Sequence, residues 1–146
     1  MVISEEAQVA ALRALLSFDP GFQQLHQQLA DEGHLAGYDD LVWSAFSIAV
    51  RRRLGRASSP GDIVTLAASL RVSLRQQQVE LDPLALEDAI RAAAGGQVVV
   101  HYDDQARAEI LLLALGQLIF DEDLDEAGLD DFLVLARAMA GRRKGG

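Results

Sequence analysis

The chain has 146 residues, of which 50% are apolar, and its 22 acidic and 13 basic residues give a net charge of -9 at pH 7. Because it contains neither cysteine nor asparagine, disulfides, cysteine-ligated metals, thiol nucleophiles and N-glycosylation are excluded. The apolar share is too high for a disordered chain, and no apolar run approaches the ~20 residues that a membrane-spanning helix needs.

Helix-forming residues dominate the chain, since leucine and alanine each occur 23 times. An Asp or Ser precedes each of the three prolines, and this pairing favours a helix start because the side chain caps a free N–H group. Paired aspartates complement the helix dipole and predict further starts at Asp39-Asp40, Asp103-Asp104 and Asp130-Asp131. The predicted helices span residues 4–17, 20–32, 40–54, 60–77, 83–94, 104–120 and 130–140.

These elements predict an all-α fold, a compact single-domain bundle of about six to seven helices over residues 1–141. Gly33, Gly55 and Gly141 are expected to end helices. Residues 97–102 hold a β-branched run and are the one segment expected to be extended, as a linker or a short strand. Residues 142–146 are expected to form a flexible basic and glycine-rich tail.

Apolar periodicity assigns a buried face to each amphipathic helix. The stripes expected to face the core in the second, fourth and seventh helices are Phe22, Leu25 and Leu29; Ile63, Leu66, Ala67, Leu70 and Leu74; and Phe132, Leu135, Ala136 and Met139. The third and sixth helices are apolar nearly all round. Two such helices in a small domain need either complete encirclement or a partner.

Residues 49–100 are the only internal region with a basic excess, seven arginines against five acids. Arg51, Arg52, Arg53 and Arg56 cluster at the end of the third predicted helix. Cations are expected at a helix C-terminus because of the dipole, and at least one of three consecutive arginines should flank the core. The alternative interpretation is a patch that binds an anion or an acidic partner.

Residues 62–73 loosely resemble the first helix and turn of a helix-turn-helix, with residues 74–78 as a short reading helix. Arg71, Arg75 and Gln77 would then be the residues able to reach DNA. Arg71 stands at the turn position where glycine is usual, and the helix could equally continue unbroken. The acidic chain also disfavours nucleic acid as a partner.

Residues 121–131 are densely acidic, which raises the possibility of a divalent-cation site. An EF-hand starting at Asp121 fails, because Glu126 stands where the turn glycine belongs and Phe132 where the bidentate carboxylate belongs. A looser cation site remains an alternative to a solvated loop that leads into a helix.

The three histidines, His26, His34 and His101, form no metal-binding or catalytic motif, and no phosphate-binding glycine pattern occurs. The sequence therefore predicts no catalytic residue, cofactor or bound metal.

We accordingly expect a non-catalytic protein–protein interaction or regulatory module, whose partner is a second copy of itself or another protein, with no membrane association. A DNA-binding regulator and a divalent-metal-binding protein are the alternatives. The lack of cysteine and of a secretory leader favours the cytoplasm. Arginine outnumbers lysine by twelve to one, which suggests the GC-rich coding of some bacteria.

Overall fold

The structure, a computed structural model, describes residues 2–17, 20–33, 35–55, 59–95 and 104–145. Within those ranges it contains seven helices and no strand, which confirms the all-α class. The helices are α1 (Val2–Leu16), α2 (Phe22–Asp31), α3 (Leu35–Leu54), α4 (Pro60–Gln76), α5 (Pro83–Ala93), α6 (Asp104–Glu122) and α7 (Glu126–Gly145). The predicted extended segment 97–102 lies outside the described residues, as do Arg56, His34 and His101. No helix in the described part of the chain is long and apolar enough to cross a bilayer.

Two of the proline-led starts are confirmed in detail. Ser59 caps α4 by accepting a hydrogen bond from the backbone N–H of Asp62 at 3.2 Å, and the Asp62 carboxylate accepts one from the backbone N–H of Ser59. Asp82 caps α5 by accepting from the backbone N–H of Ala85 at 3.0 Å. These side-chain caps fix both helix starts from the local sequence alone.

Three other predicted starts were wrong. Helix α3 begins at Leu35, so the Asp39-Asp40 pair lies inside it. Helix α2 begins at Phe22 after Gly21, which supplies no side-chain cap. Helix α7 begins at Glu126 rather than Asp130, because the Asp125 carboxylate accepts a hydrogen bond from the backbone N–H of Gly128 at 2.7 Å.

Of the three predicted glycine-led helix ends, two are confirmed and one was wrong. Gly33 and Gly55 have positive φ angles of 75° and 61° and end α2 and α3 as predicted. Gly141 does not end α7, which continues to Gly145 and includes residues 142–145 of the predicted tail. Gly141 does not have the positive φ of a helix-ending glycine, so the helical path continues through it.

The chain divides into two units, each described by itself. In the first unit, Met1–Ala45 with Asp123–Gly146, α1 packs against α2 and α7. Arg13 on α1 forms an ion pair with Asp130 on α7. Leu135 was expected in the core of α7 but is 49% exposed, whereas Leu133 is buried. Leu133 belongs to the buried stripe Leu129, Phe132, Leu133, Ala136 and Ala140, which begins before the predicted start of α7.

The second unit, Phe46–Glu122, holds the end of α3 with α4, α5 and α6. Helix α4 packs against both α5 and α6, and α5 packs against α6. The buried residues of α4 are the five that the periodicity predicted: Ile63, Leu66, Ala67, Leu70 and Leu74. One side of α4 therefore belongs to the core of this unit, and the other side is left for solvent or a partner.

Candidate functional site

The side of α4 opposite its buried stripe is exposed and carries no charge for three turns. Val64 and Val72 are 46% and 56% exposed. Residues spaced by three or four lie on one helix face, so the two valines share a surface with the small residue between them. We call this surface the uncharged face and define it as Gly61, Val64, Thr65, Ala68, Ser69 and Val72.

Charged residues mark the two ends of the uncharged face. Asp62 lies at its N-terminal end, where its carboxylate accepts hydrogen bonds from the backbone N–H and hydroxyl of Ser59. Arg71 and Arg75 lie at the C-terminal end. Their side chains form no hydrogen bond or ion pair with any residue that the structure describes. Asp62 and Arg71 are nine residues apart, about 180° around the helix, so they flank the uncharged face on opposite sides.

A cavity of about 330 Å³ borders the uncharged face. Thr65 and Ser69 line it from α4, and Arg53 lines it from the end of α3. A second cavity of about 190 Å³ is lined by Arg52 and Arg53 with residues of α6. Arg53 therefore contributes to both recesses.

The predicted arginine patch separates into residues with different surroundings. Arg51 Nε donates to the carbonyl oxygen of Ala93 at 3.1 Å, at the end of α5. Arg52 forms an ion pair with Glu122 at 3.2 Å. Arg53 has no hydrogen bond or ion pair to the residues that the structure describes. Binding of an outside anion by this cluster stays a prediction.

The residues proposed to reach DNA lie on or just after one unbroken helix. Helix α4 runs unbroken through Arg71 to Gln76, which confirms the helix predicted over 60–77, and the turn near Arg71 that the alternative required does not occur. The apolar stripe explains this, because Leu70 and Leu74 continue the same buried side. The chain turns at Gln77 instead, and its side-chain amide donates to Gln117 Oε1 at 2.9 Å. DNA binding stays a prediction, now without the motif that suggested it.

The acidic residues 121–131 are mostly engaged with neighbours in the chain. The pairs are Asp121 with Gln117, Glu122 with Arg52, Asp125 with the N–H of Gly128, and Asp130 with Arg13. Across the described part of the chain, no three His, Asp or Glu side chains come together in a way that could hold a metal ion. Hydrogen bonding, helix capping and ion pairing thus engage four of the seven acids in this segment.

His26 lies between two aromatic rings of its own unit. Its ring centroid is 5.6 Å from that of Phe22 and 5.6 Å from that of Tyr38. Tyr38 is almost completely buried. His26 is itself half-buried, so it lies at the boundary between core and solvent.

Sequence reasoning did not single out the uncharged face. The spacing of Val64, Ala68 and Val72 was visible opposite the predicted stripe, but small and hydroxyl side chains are common on any solvated helix. Comparison with protein-family models, curated proteins and solved structures finds no significant match to this chain.

Proposed function

We propose that this protein is a non-catalytic helical module that acts by binding a protein chain through the uncharged face of α4. One observation carries the proposal: the exposed side of α4 bears no charge from Gly61 to Val72, in a chain of which 24% of the residues are charged. The cores of protein interfaces are depleted in charged residues. Contiguous apolar exposure with a polar rim is typical of interaction sites.

Most of the apolar surface of α6 is covered within the protein. The described side chains of α6 from Ile110 to Ile119 are buried or half-buried, and Phe120 after them is 60% exposed. On α4, two valines remain about half exposed. A partner chain would remove them from water, with a gain of roughly 25 cal/mol for each Å² of apolar surface buried.

The chemistry beside the face does not favour catalysis. Thr65 and Ser69 supply hydroxyl groups, and a hydroxyl nucleophile needs a base within hydrogen-bonding reach. Asp62 lines the same cavity, but its carboxylate is held by the capping bonds from Ser59. The simpler role for these hydroxyl and carboxylate groups is to form the polar rim of a binding surface.

Site-specific photo-crosslinking in cells tests the proposal. A photoreactive amino acid at Val72 should capture a discrete protein species, and the same residue at Gln24, an exposed position on α2, should not. Adding Val64→Glu to the Val72 probe should abolish capture, because a carboxylate would be buried in the contact. Equal capture from both positions, or capture unaffected by Val64→Glu, would overturn the proposal.

A further inference from the structure

We infer that the cavity between α3 and α6 binds a phosphate group, held between the guanidinium groups of Arg52 and Arg53. No residue of the uncharged face, as defined above, lines this cavity, so the inference goes beyond the proposed function and does not depend on it. It draws on the charges that line the cavity, on the burial of its floor and on the exposure of the ion pair at its edge.

Two consecutive arginines line the cavity together with one carboxylate, that of Glu122. Consecutive residues project about 100° apart around a helix, so a cavity lined by both Arg52 and Arg53 lies between their side chains. Glu122 forms an ion pair with Arg52 at 3.2 Å, whereas Arg53 has no ion pair or hydrogen bond to the residues that the structure describes. The lining therefore carries one more positive charge than negative charge.

The floor of the cavity is formed by apolar residues of the core. Ala49 is fully buried and Leu118 is 2% exposed, and charges interact more strongly beside such a surface than in bulk water. The cavity volume of about 190 Å³ is smaller than the ~300–1,000 Å³ of sites for drug-sized ligands, and it suits a single anionic group. Guanidinium groups bind phosphate oxygens in a bidentate geometry.

The helix ends beside the cavity oppose an anion less strongly than the arginines attract it. Arg53 lies in the last turn of α3 and Glu122 is the last residue of α6, so both helices direct the negative end of their dipoles toward this region. The dipole effect is screened by salt and confined to the last turn. Charge-assisted hydrogen bonds from guanidinium to phosphate are, in contrast, among the strong hydrogen bonds of proteins.

The ion pair between Arg52 and Glu122 competes with the ligand. Both side chains are partly exposed, 35% and 26%, and ion pairs of this kind contribute little to stability. A phosphate group carries more negative charge at neutral pH than a carboxylate does, so it should displace Glu122 from Arg52. Glu122 is therefore expected to weaken phosphate binding.

Isothermal titration calorimetry with inorganic phosphate tests the site, with sodium chloride holding the ionic strength constant. The wild-type protein should bind with a dissociation constant in the millimolar range or below. Arg52→Gln and Arg53→Gln should each raise that constant by at least about tenfold, because each removes one of the two guanidinium groups. Arg75→Gln removes the same charge from an exposed position on α4 and should leave the constant unchanged.

Replacing the competing carboxylate gives a result in the opposite direction. Glu122→Gln should lower the dissociation constant for phosphate by about threefold or more, because Arg52 is then no longer paired. Glu80→Gln removes the same charge from an exposed position of the same unit and should have little effect. Circular dichroism of each variant confirms that the helices persist.

Three results would overturn the phosphate site: no heat of binding at high millimolar phosphate, equal effects of Arg53→Gln and Arg75→Gln, or binding that Glu122→Gln does not strengthen. Phenyl phosphate as a second probe distinguishes the sources of the group. Tighter binding of phenyl phosphate would indicate a phosphate carried on a larger molecule, and tighter binding of inorganic phosphate would indicate the free ion. Capture through Val72 tests the proposed function separately, and Arg53→Gln should not change it.

Discussion

The side-chain amide of Gln77 donates to Gln117 Oε1 at 2.9 Å, and Gln117 Nε2 donates in turn to Asp121 Oδ1 at 2.9 Å. Gln117 is buried on α6, whereas Gln77 and Asp121 are exposed. The buried amide therefore has a partner at each end. These bonds connect the turn after α4 to α6 within the second unit.

We expect that replacing Gln77 and replacing Gln117 lower the free energy of unfolding by different amounts. Gln77→Ala leaves the buried Gln117 oxygen without its donor and should cost about 1 kcal/mol of unfolding free energy. Gln117→Leu should cost less, because Gln77 and Asp121 can turn to water. Urea unfolding of both single variants and the double variant measures the difference. A larger loss for Gln117→Leu would contradict the asymmetry.

The sequence predicted α4 well because its limits are local. Ser59, Pro60 and Asp62 fix its start, and five regularly spaced apolar residues define its buried side. Helix α7 was predicted less well, since several aspartates in 121–131 could each have capped it. Hydrogen bonding selects Asp125, and the earlier start adds Leu129 to a buried stripe that takes in Leu133 and leaves Leu135 exposed.

The uncharged face and the partners of the arginine cluster could be identified only from the tertiary structure. Arg51 meets Ala93, which is 42 residues away, and Arg52 meets Glu122, which is 70 residues away. Three consecutive identical residues contain no local information about which will find a distant partner. Likewise, the exposed side of α4 becomes a distinct surface only once α5 and α6 cover the other side.

The three arginines should therefore differ in their contribution to stability. Arg51→Ala removes a charged donor from a helix-terminal carbonyl and should cost about 1 kcal/mol. Arg52→Ala removes a partly exposed ion pair and should cost roughly 0.2–1 kcal/mol, less at high salt. Arg53→Ala should change stability by less than about 0.5 kcal/mol. Urea unfolding at low and high salt gives the order, and equal losses would show that the three residues are interchangeable.

Replacing Gln78 with glycine should stabilise the protein. Gln78 lies in the turn after α4 with a φ of 63°, a left-handed conformation that costs an ordinary residue roughly 1–2 kcal/mol and glycine little. Glycine also gains freedom in the unfolded chain, so the expected net gain is about 0.5–1 kcal/mol.

Asp123 provides the control for Gln78→Gly. It also has a positive φ, 52°, but aspartate tolerates this conformation better than glutamine does. Asp123→Gly should therefore stabilise less, and the two melting temperatures measured side by side test the order. A melting temperature lowered by Gln78→Gly would contradict this explanation.

A buried carboxylate on α5 gives the last prediction. Asp88 is only 6% exposed, and its Oδ1 accepts a hydrogen bond from Arg91 at 2.9 Å. Its Oδ2 has no hydrogen-bond partner among the residues that the structure describes. Arg91 is thus the main compensation for a charge held away from water, and it is itself about one-third exposed.

Replacing Arg91 should lower the free energy of unfolding more than replacing Asp88. Arg91→Ala leaves the carboxylate buried without its cation and should cost about 1–2 kcal/mol, reduced from the value for a fully buried pair because Arg91 is partly solvated. Asp88→Leu removes the buried charge together with its desolvation penalty, so its cost should be smaller. In the double variant, the loss caused by Arg91→Ala should largely disappear, because no carboxylate remains to be compensated. Urea unfolding of the three variants at neutral pH measures this coupling, and additive losses would show that Asp88 and Arg91 stabilise the fold independently.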